Sequence, residues 1–316
     1  MKRILCIVLC ATILSGVLVF AKLGISPYLM KDANYGMARL KTMGKVDILF
    51  VGSSMFRQGI DTQSLSDGQE QTYLLAYNGN QPFSIYLEIE ELLDNGVQID
   101  YLVVDMYAYS LTADVMLSDV RIFQDNSTKF TYSLYETMRE NGSADVSDLH
   151  EMLIKTNNEV FFTWPISFPL INDRYINGSN ASKNKGATAD QLSKLPLDFG
   201  NTEINDVQAK ALDNLIQLCR EKNVDIMFLE TPKYSYLYQG DAYCNIMGEY
   251  IKLLNSYGCK QIISQRTAME CGVQEDEVHT VYSFESDTSE FFTDLLHMSS
   301  DGREAFSVIL KQIMGS

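Results

Sequence analysis

Two serines, Ser53 and Ser54, follow an apolar run that stops at Gly52, in the stretch DILFVGSSMFRQGID. A serine hydroxyl attacks a carbonyl at neutral pH only when a base stands beside it, and the base needs a third group to orient it. The chain holds three histidines. His150 lies in an acidic, helix-like stretch and His279 in an acidic loop. His297 is different: it stands three residues after Asp294, with Gly302 five residues further on, just before an amphipathic C-terminal segment. Residues three apart on one turn face each other, so Asp294 can hold one ring nitrogen of His297 and leave the other for a serine. The chemistry such a set performs is acyl transfer through a serine ester. The residues alone do not choose between Ser53 and Ser54, and a serine pair after a strand also suits a polar turn or a helix N-cap. The order Ser, Asp, His is that of the α/β-hydrolases. Those enzymes carry G-x-S-x-G at the nucleophile, whereas Met55-Phe56 follow Ser54 here.

The elements that would position these residues read as strand–helix alternation. VDILFVG (46–52), TYLLAYN (72–78) and IDYLVVDMY (99–107) are apolar, β-branched runs of the kind buried on both faces of a parallel sheet. SIYLEIEELLDNG (84–96) has helical spacing and stops at Asn95-Gly96. After residue 200 the rhythm resumes. A helix is expected over 205–223, a strand over 224–232 stopped by Pro232, a helix over 243–258, a strand over 259–264 and a last helix after Gly302. This alternation predicts βαβ units in one α/β domain, 46–316. Residues 110–200 interrupt it and read as a large insertion. They are rich in Asn, Ser, Thr and aromatics, with Phe161, Phe162, Phe168 and the single tryptophan, Trp164, expected mainly in its core. In open parallel sheets ligands gather at the carboxyl ends of strands, which is where Gly52-Ser53-Ser54 falls. Arg57, a turn beyond Ser54, and Lys233, just after Pro232, are expected near the same end. Arg57 could steer an anionic polymer or carboxylate, or form a surface salt bridge with Asp61 or another acid.

The N-terminus carries a further signal. Lys2 and Arg3 precede an apolar stretch from Ile4 to Ala21, about 18 residues and near the length that spans a bilayer. Residues 1–21 are therefore expected to be a signal-anchor, with a cleaved signal peptide as the lesser reading, and 22–45 a juxtamembrane connector. The domain would then lie outside the cytoplasmic membrane. The net charge of −16 repels phosphates and speaks against nucleic acid as a partner. Of the six cysteines, Cys6 and Cys10 fall in the apolar segment, and Cys219, Cys244, Cys259 and Cys271 in the last third. Disulfides are permitted there with their pairing open. No CxxC spacing occurs, and no metal site is evident.

Gly52-Ser53-Ser54 and Asp294-Leu295-Leu296-His297, followed by SSDGREAF, together resemble the first and last sequence blocks of SGNH (GDSL-type) hydrolases. The chain is most similar to the membrane-anchored branch that includes the lipoteichoic-acid D-alanylation protein DltD. The resemblance covers roughly 45–110 and 200–316. It implies a flavodoxin-like three-layer α/β sandwich with Ser54 as nucleophile, Ser53 standing where relatives carry Asp. His297 would be the base and Asp294 its orienting acid. It also implies an oxyanion site at Gly79, in YNGNQP, with Asn78 and Asn80 as further donors. The third block departs. Relatives have Gly-x-Asn-Asp after the third strand, whereas Asp105-Met106-Tyr107 stands there, so the usual asparagine donor is missing. The family works without metal or organic cofactor. By resemblance the expected activity is that of an ester hydrolase or O-acyltransferase acting on an acylated cell-surface polymer or glycan. A multi-pass membrane O-acyltransferase would be its partner. With the asparagine missing, an anchored binding or assembly factor with little turnover is the alternative.

Overall fold

Val46, Leu49, Phe50 and Val51 are fully buried, because the strand that carries them is central and covered on both faces. The computed structural model describes residues 6–17, 36–66, 71–117, 119, 122, 126–144, 175–180, 183–197 and 200–315. The strand in question is β1 (Lys45–Gly52), flanked by β2 (Thr72–Ala76) and β3 (Gln98–Asp105). A two-stranded antiparallel hairpin follows, β4 (Tyr175–Ile176) with β5 (Ser179–Asn180). The sheet then continues with β6 (Asp225–Leu229), β7 (Lys260–Ser264) and β8 (Thr280–Tyr282). Its order is β2-β1-β3-β6-β7-β8, and every pair is parallel. With the hairpin set aside, this is the flavodoxin-like order extended by one strand. The chain reverses its direction of winding between β1 and β3, and their carboxyl ends form a switch-point crevice.

Residues 6–17 form a helix, α1, whose side chains are exposed. Gly36–Met43 forms α2, inside the stretch expected to be connector. It buries Met37 and Leu40 completely, so it belongs to the α/β body. After β1 come the short α3 (Ser54–Gly59) and α4 (Thr62–Leu65). Pro82–Asp94 is α5, with proline at its first position, where no amide hydrogen is needed. Ala108–Thr112 is α6, Thr128–Glu140 is α7 and Ala189–Leu192 is α8. The later helices are α9 (Asp206–Lys222), α10 (Asp241–Ser256), α11 (Gln265–Cys271) and α12 (Ser300–Met314). Most expected elements are present with ends shifted by one to three residues. β8 and α11 are additions: both are short and lie in polar sequence.

Two features protect and tie the sheet. The β4–β5 hairpin covers the outer edge of β2: Leu74 N–H donates to Asn177 O at 2.9 Å. Gly178 has φ +81°, and a Cβ there would lie 1.8 Å from Leu74 O, so only glycine allows this cover. A disulfide joins Cys244 on α10 to Cys271 on α11, while Cys219 and Cys259 are free thiols. The buried Glu230, just past β6, accepts from Tyr243 O–H, from Thr267 O–H at 2.6 Å and from Ser264 N–H at 3.0 Å. It thereby links β6, β7, α10 and α11. His150, Phe161, Phe162, Trp164 and Phe168 lie outside the described residues.

Candidate active site

At the carboxyl end of β1 the backbone of Gly52 passes close against β3. A Cβ on Gly52 would lie 2.3 Å from the Asp105 Cβ, so glycine is required for the two strand ends to meet. That approach brings Ser53 onto Asp105. The Ser53 hydroxyl donates to Asp105 Oδ2 at 2.6 Å, and the Ser53 N–H donates to the same oxygen at 3.1 Å. The Ser53 Oγ in turn accepts from Met55 N–H at 3.2 Å and so caps α3. With both its hydrogen and its lone pair committed, and only 1 % exposed, Ser53 is a structural hydroxyl. Ser54, one residue on, is the first residue of α3 and half-buried.

Ser54 Oγ lies 2.8 Å from His297 Nε2, and His297 Nδ1 lies 2.8 Å from Asp294 Oδ2. The second carboxylate oxygen, Asp294 Oδ1, accepts from the N–H groups of Leu296 at 2.8 Å and His297 at 2.9 Å. Burial pushes the Asp294 carboxyl up. The His297 ring, through its hydrogen bond and charge, and the two backbone amides outweigh this and leave it below the ordinary range. An ionised carboxylate only accepts, so Nδ1 carries the ring proton. In the neutral ring Nε2 is then the bare nitrogen that can accept the Ser54 hydroxyl proton. This is the arrangement that general-base activation of a serine needs.

No regular element holds the Asp294–His297 loop. It is closed instead by a bridge between Phe292 and Met298 and by a Thr293 N–H to His297 O bond at 2.9 Å. Tyr234 N–H donates to Leu295 O at 3.1 Å and ties it to the segment after β6. Behind it, Ser299 N–H donates to Phe291 O at 2.9 Å and the Ser299 hydroxyl to Glu290 O at 2.6 Å. Gly302 passes so near that a Cβ would lie 2.1 Å from Phe291 O. The 183–188 segment of the insertion also grips the loop. Asn184 N–H donates to Ser300 Oγ at 2.7 Å, Ser300 N–H to Asn184 O at 3.0 Å and Ala187 N–H to Phe292 O at 2.7 Å.

The other expected residues divide. Gly79 sits in the turn after β2 with φ +61°, and neither its N–H nor that of Ser54 has an acceptor among the described residues. Both are thus open to an incoming oxygen. Asn78 faces solvent; its N–H donates to Asp119 Oδ2 at 3.0 Å and its Oδ1 accepts from Arg57 Nη1 at 3.2 Å. Arg57 therefore meets the oxyanion turn. Asn80 is not an available donor. Its side chain turns inward, with Nδ2 on both oxygens of Glu88 at 3.1 Å and Oδ1 accepting from the Ser84 hydroxyl, while its N–H is bound to Tyr77 O. Buried Asn80 acts as a strut under the Gly79 turn.

Three further groups stand at the site: Asp105 and Tyr107, from the stretch where the third block departs, and Lys233, expected at this end from its place after Pro232. Asp105 is buried, and burial raises its carboxyl above the ordinary range against the pull of Lys233, Ser53 and His297. Lys233 is fully buried, donates to Thr231 O at 2.9 Å and Thr231 Oγ1 at 2.8 Å, and so does not reach substrate. Burial lowers its pKa while Glu230, Asp105 and Asp294 pull it up. Tyr107 follows β3, close enough to Asp105 and Asp294 that burial and both carboxylates raise its hydroxyl and keep it protonated. In the sequence Asp105 is marked by the third-block departure and as the acid that ends the apolar run YLVVD. No family model matches the chain, and no curated protein matches it.

Proposed function

We propose that the protein is a serine-dependent ester hydrolase or O-acyltransferase that works outside the cytoplasmic membrane on an acylated cell-surface polymer or glycan. The observation that carries this is the unbroken chain from Ser54 Oγ to His297 Nε2 and from Nδ1 to Asp294 Oδ2, at 2.8 Å for each link. Ser54 Oγ attacks the acyl carbonyl while His297 Nε2 takes its proton. The same proton then goes to the leaving oxygen, and an acyl-serine ester remains. Water or an acceptor hydroxyl attacks that ester next, again losing its proton to His297, and Ser54 is restored. Asp294 fixes the tautomer, and the N–H groups of Ser54 and Gly79 stabilise the oxyanion. The resemblance to the SGNH family and its DltD-like branch supports the choice of substrate class and of a multi-pass membrane O-acyltransferase as partner.

The location rests on Lys2 and Arg3 before the apolar N-terminal stretch, and the Cys244–Cys271 disulfide suits an oxidising compartment. Among the described residues no helix is long and apolar enough to cross a membrane. A second reading, an anchored binding factor with little turnover, is favoured by the missing third-block asparagine, where Asp105-Met106-Tyr107 stands. Hydrolysis of p-nitrophenyl acetate by the full, detergent-solubilised chain separates the two. The enzyme reading expects a rate that Ser54→Ala removes. A rate indifferent to Ser54→Ala, or none at all from folded protein, gives the second reading the field.

A further inference from the structure

An oxyanion site with only two backbone donors is weak, since removing one donor typically costs about 10²–10³ in rate. The stretch after β3 offers no asparagine, and Asn80 is committed to Glu88. One uncommitted donor borders the site. Tyr107 lies two residues beyond Asp105, whose carboxyl binds the residue preceding Ser54. Tyr107 lines a cavity of about 320 Å³ together with Gly79, Asn80 and Gln81, and it shares a smaller one with Ser53 and Asp105. The ring is fixed edge-on against Tyr109, centroids 5.9 Å apart. The Tyr107 carbonyl is fixed as well, accepting from Ser110 N–H at 3.0 Å and the Ser110 hydroxyl at 2.6 Å. Among the described residues nothing hydrogen-bonds the Tyr107 hydroxyl. A rigid, polar donor with no hydrogen-bond partner among the described residues, lining one cavity with the glycine turn, has the attributes of a preorganised oxyanion group.

We propose that the Tyr107 hydroxyl is the third oxyanion donor, in the role of the missing side-chain amide; this rests on the serine-enzyme reading above. As the Ser54 Oγ–carbon bond forms, the carbonyl π pair moves onto oxygen and the serine proton moves to His297 Nε2. Tyr107 keeps its own proton and shares it with the oxyanion in a hydrogen bond. On collapse the pair returns, the bond to the leaving oxygen breaks, and that oxygen takes the proton from His297. Burial, helped by the neighbouring Asp105 and Asp294, holds the phenol neutral, so it acts as donor and not as acid.

The test is Tyr107→Phe, which keeps the ring and removes the donor, read on p-nitrophenyl acetate and on a trifluoromethyl ketone that forms a serine hemiketal. The proposal expects kcat to fall about 10²-fold or more, KM to change little, hemiketal affinity to fall by a similar factor and the melting temperature to stay. A wild-type kcat in folded Tyr107→Phe, with Ser54→Ala still inactive, overturns the Tyr107 role and leaves the serine enzyme standing. A fall in kcat matched by a rise in KM and a lower melting temperature, with hemiketal affinity unchanged, overturns it too and makes Tyr107 a wall. Hydrolysis that persists in Ser54→Ala removes the serine enzyme itself. If Tyr107→Phe does not fold, 3-fluorotyrosine placed at 107, a stronger donor, must raise hemiketal affinity, and no change overturns the proposal.

Discussion

The two halves of the Ser–His–Asp chain are built in opposite ways. Ser54 sits where a central strand turns into a helix, and its position follows from Gly52 lying against Asp105 and from the Ser53 cap. His297 and Asp294 sit in a loop held by scattered hydrogen bonds from the segment after β6, the 183–188 segment and the start of α12. The nucleophile is thus placed by the sheet, and the base by a clasp closed only when distant parts of the chain are in place. Catalysis should be more sensitive to the clasp than to the Ser53–Asp105 pairing at the strand junction. Each half can be tested for that.

The largest effect is expected on the clasp side. Asp294→Asn leaves the loop able to close but removes the charge that sets the tautomer. Its kcat on p-nitrophenyl acetate should fall about 10³–10⁴-fold with little change in melting temperature; a loss below tenfold would mean that Asp294 does not orient His297. Gly302→Ala pushes a Cβ against Phe291 O, where the nearest atom is backbone and cannot rotate away. A loss of about 1–3 kcal/mol is expected by denaturant unfolding, with a further fall in kcat that Val308→Ala on the exposed face of α12 does not share. On the strand side, Ser53→Ala removes a cap and takes from the buried Asp105 Oδ2 its hydroxyl donor, leaving it only the N–H of residue 53. A cost of about 1–3 kcal/mol is expected, with acyl transfer by Ser54 retained in the folded fraction.

The smallest effect is one of pH. Glu88, under the Gly79 turn, is fully buried, and burial raises its carboxyl well above the model-peptide value of 4.5, with Asp119 adding to the rise and Asn80 opposing it. A group with a raised folded pKa gives stability that is complete below its unfolded pKa and is lost as pH rises through the folded one. Wild-type melting temperature should therefore contain a component that declines from the carboxylate range upward, and Glu88→Gln should flatten it. Parallel wild-type and Glu88→Gln profiles would show that Glu88 titrates normally.

The same contrast explains what the sequence disclosed. The strand junction was readable because it is local: an apolar β-branched run, a glycine and a polar cap lie within a few residues, and Asp-x-x-His is likewise a short-range pattern. β8 was hidden because three residues, Thr280–Tyr282, within an acidic stretch give no periodicity. α2 reads as connector because its eight residues, GMARLKTM, are too few to show a period, although Met37 and Leu40 are buried in the body. The inward turn of Asn80 onto Glu88, the pairing of Ser53 with Asp105 and the choice of Cys271 for Cys244 depend on which elements become neighbours in three dimensions. No local pattern encodes those choices.

The claim that Ser54, and not Ser53, is the activated hydroxyl is tested most directly by labelling the full chain with a fluorophosphonate and mapping the adduct by mass spectrometry. The account predicts a single adduct on Ser54, absent in Ser54→Ala and retained in Ser53→Ala. An adduct on Ser53, labelling that survives Ser54→Ala, or a folded wild-type protein that takes no label would contradict it.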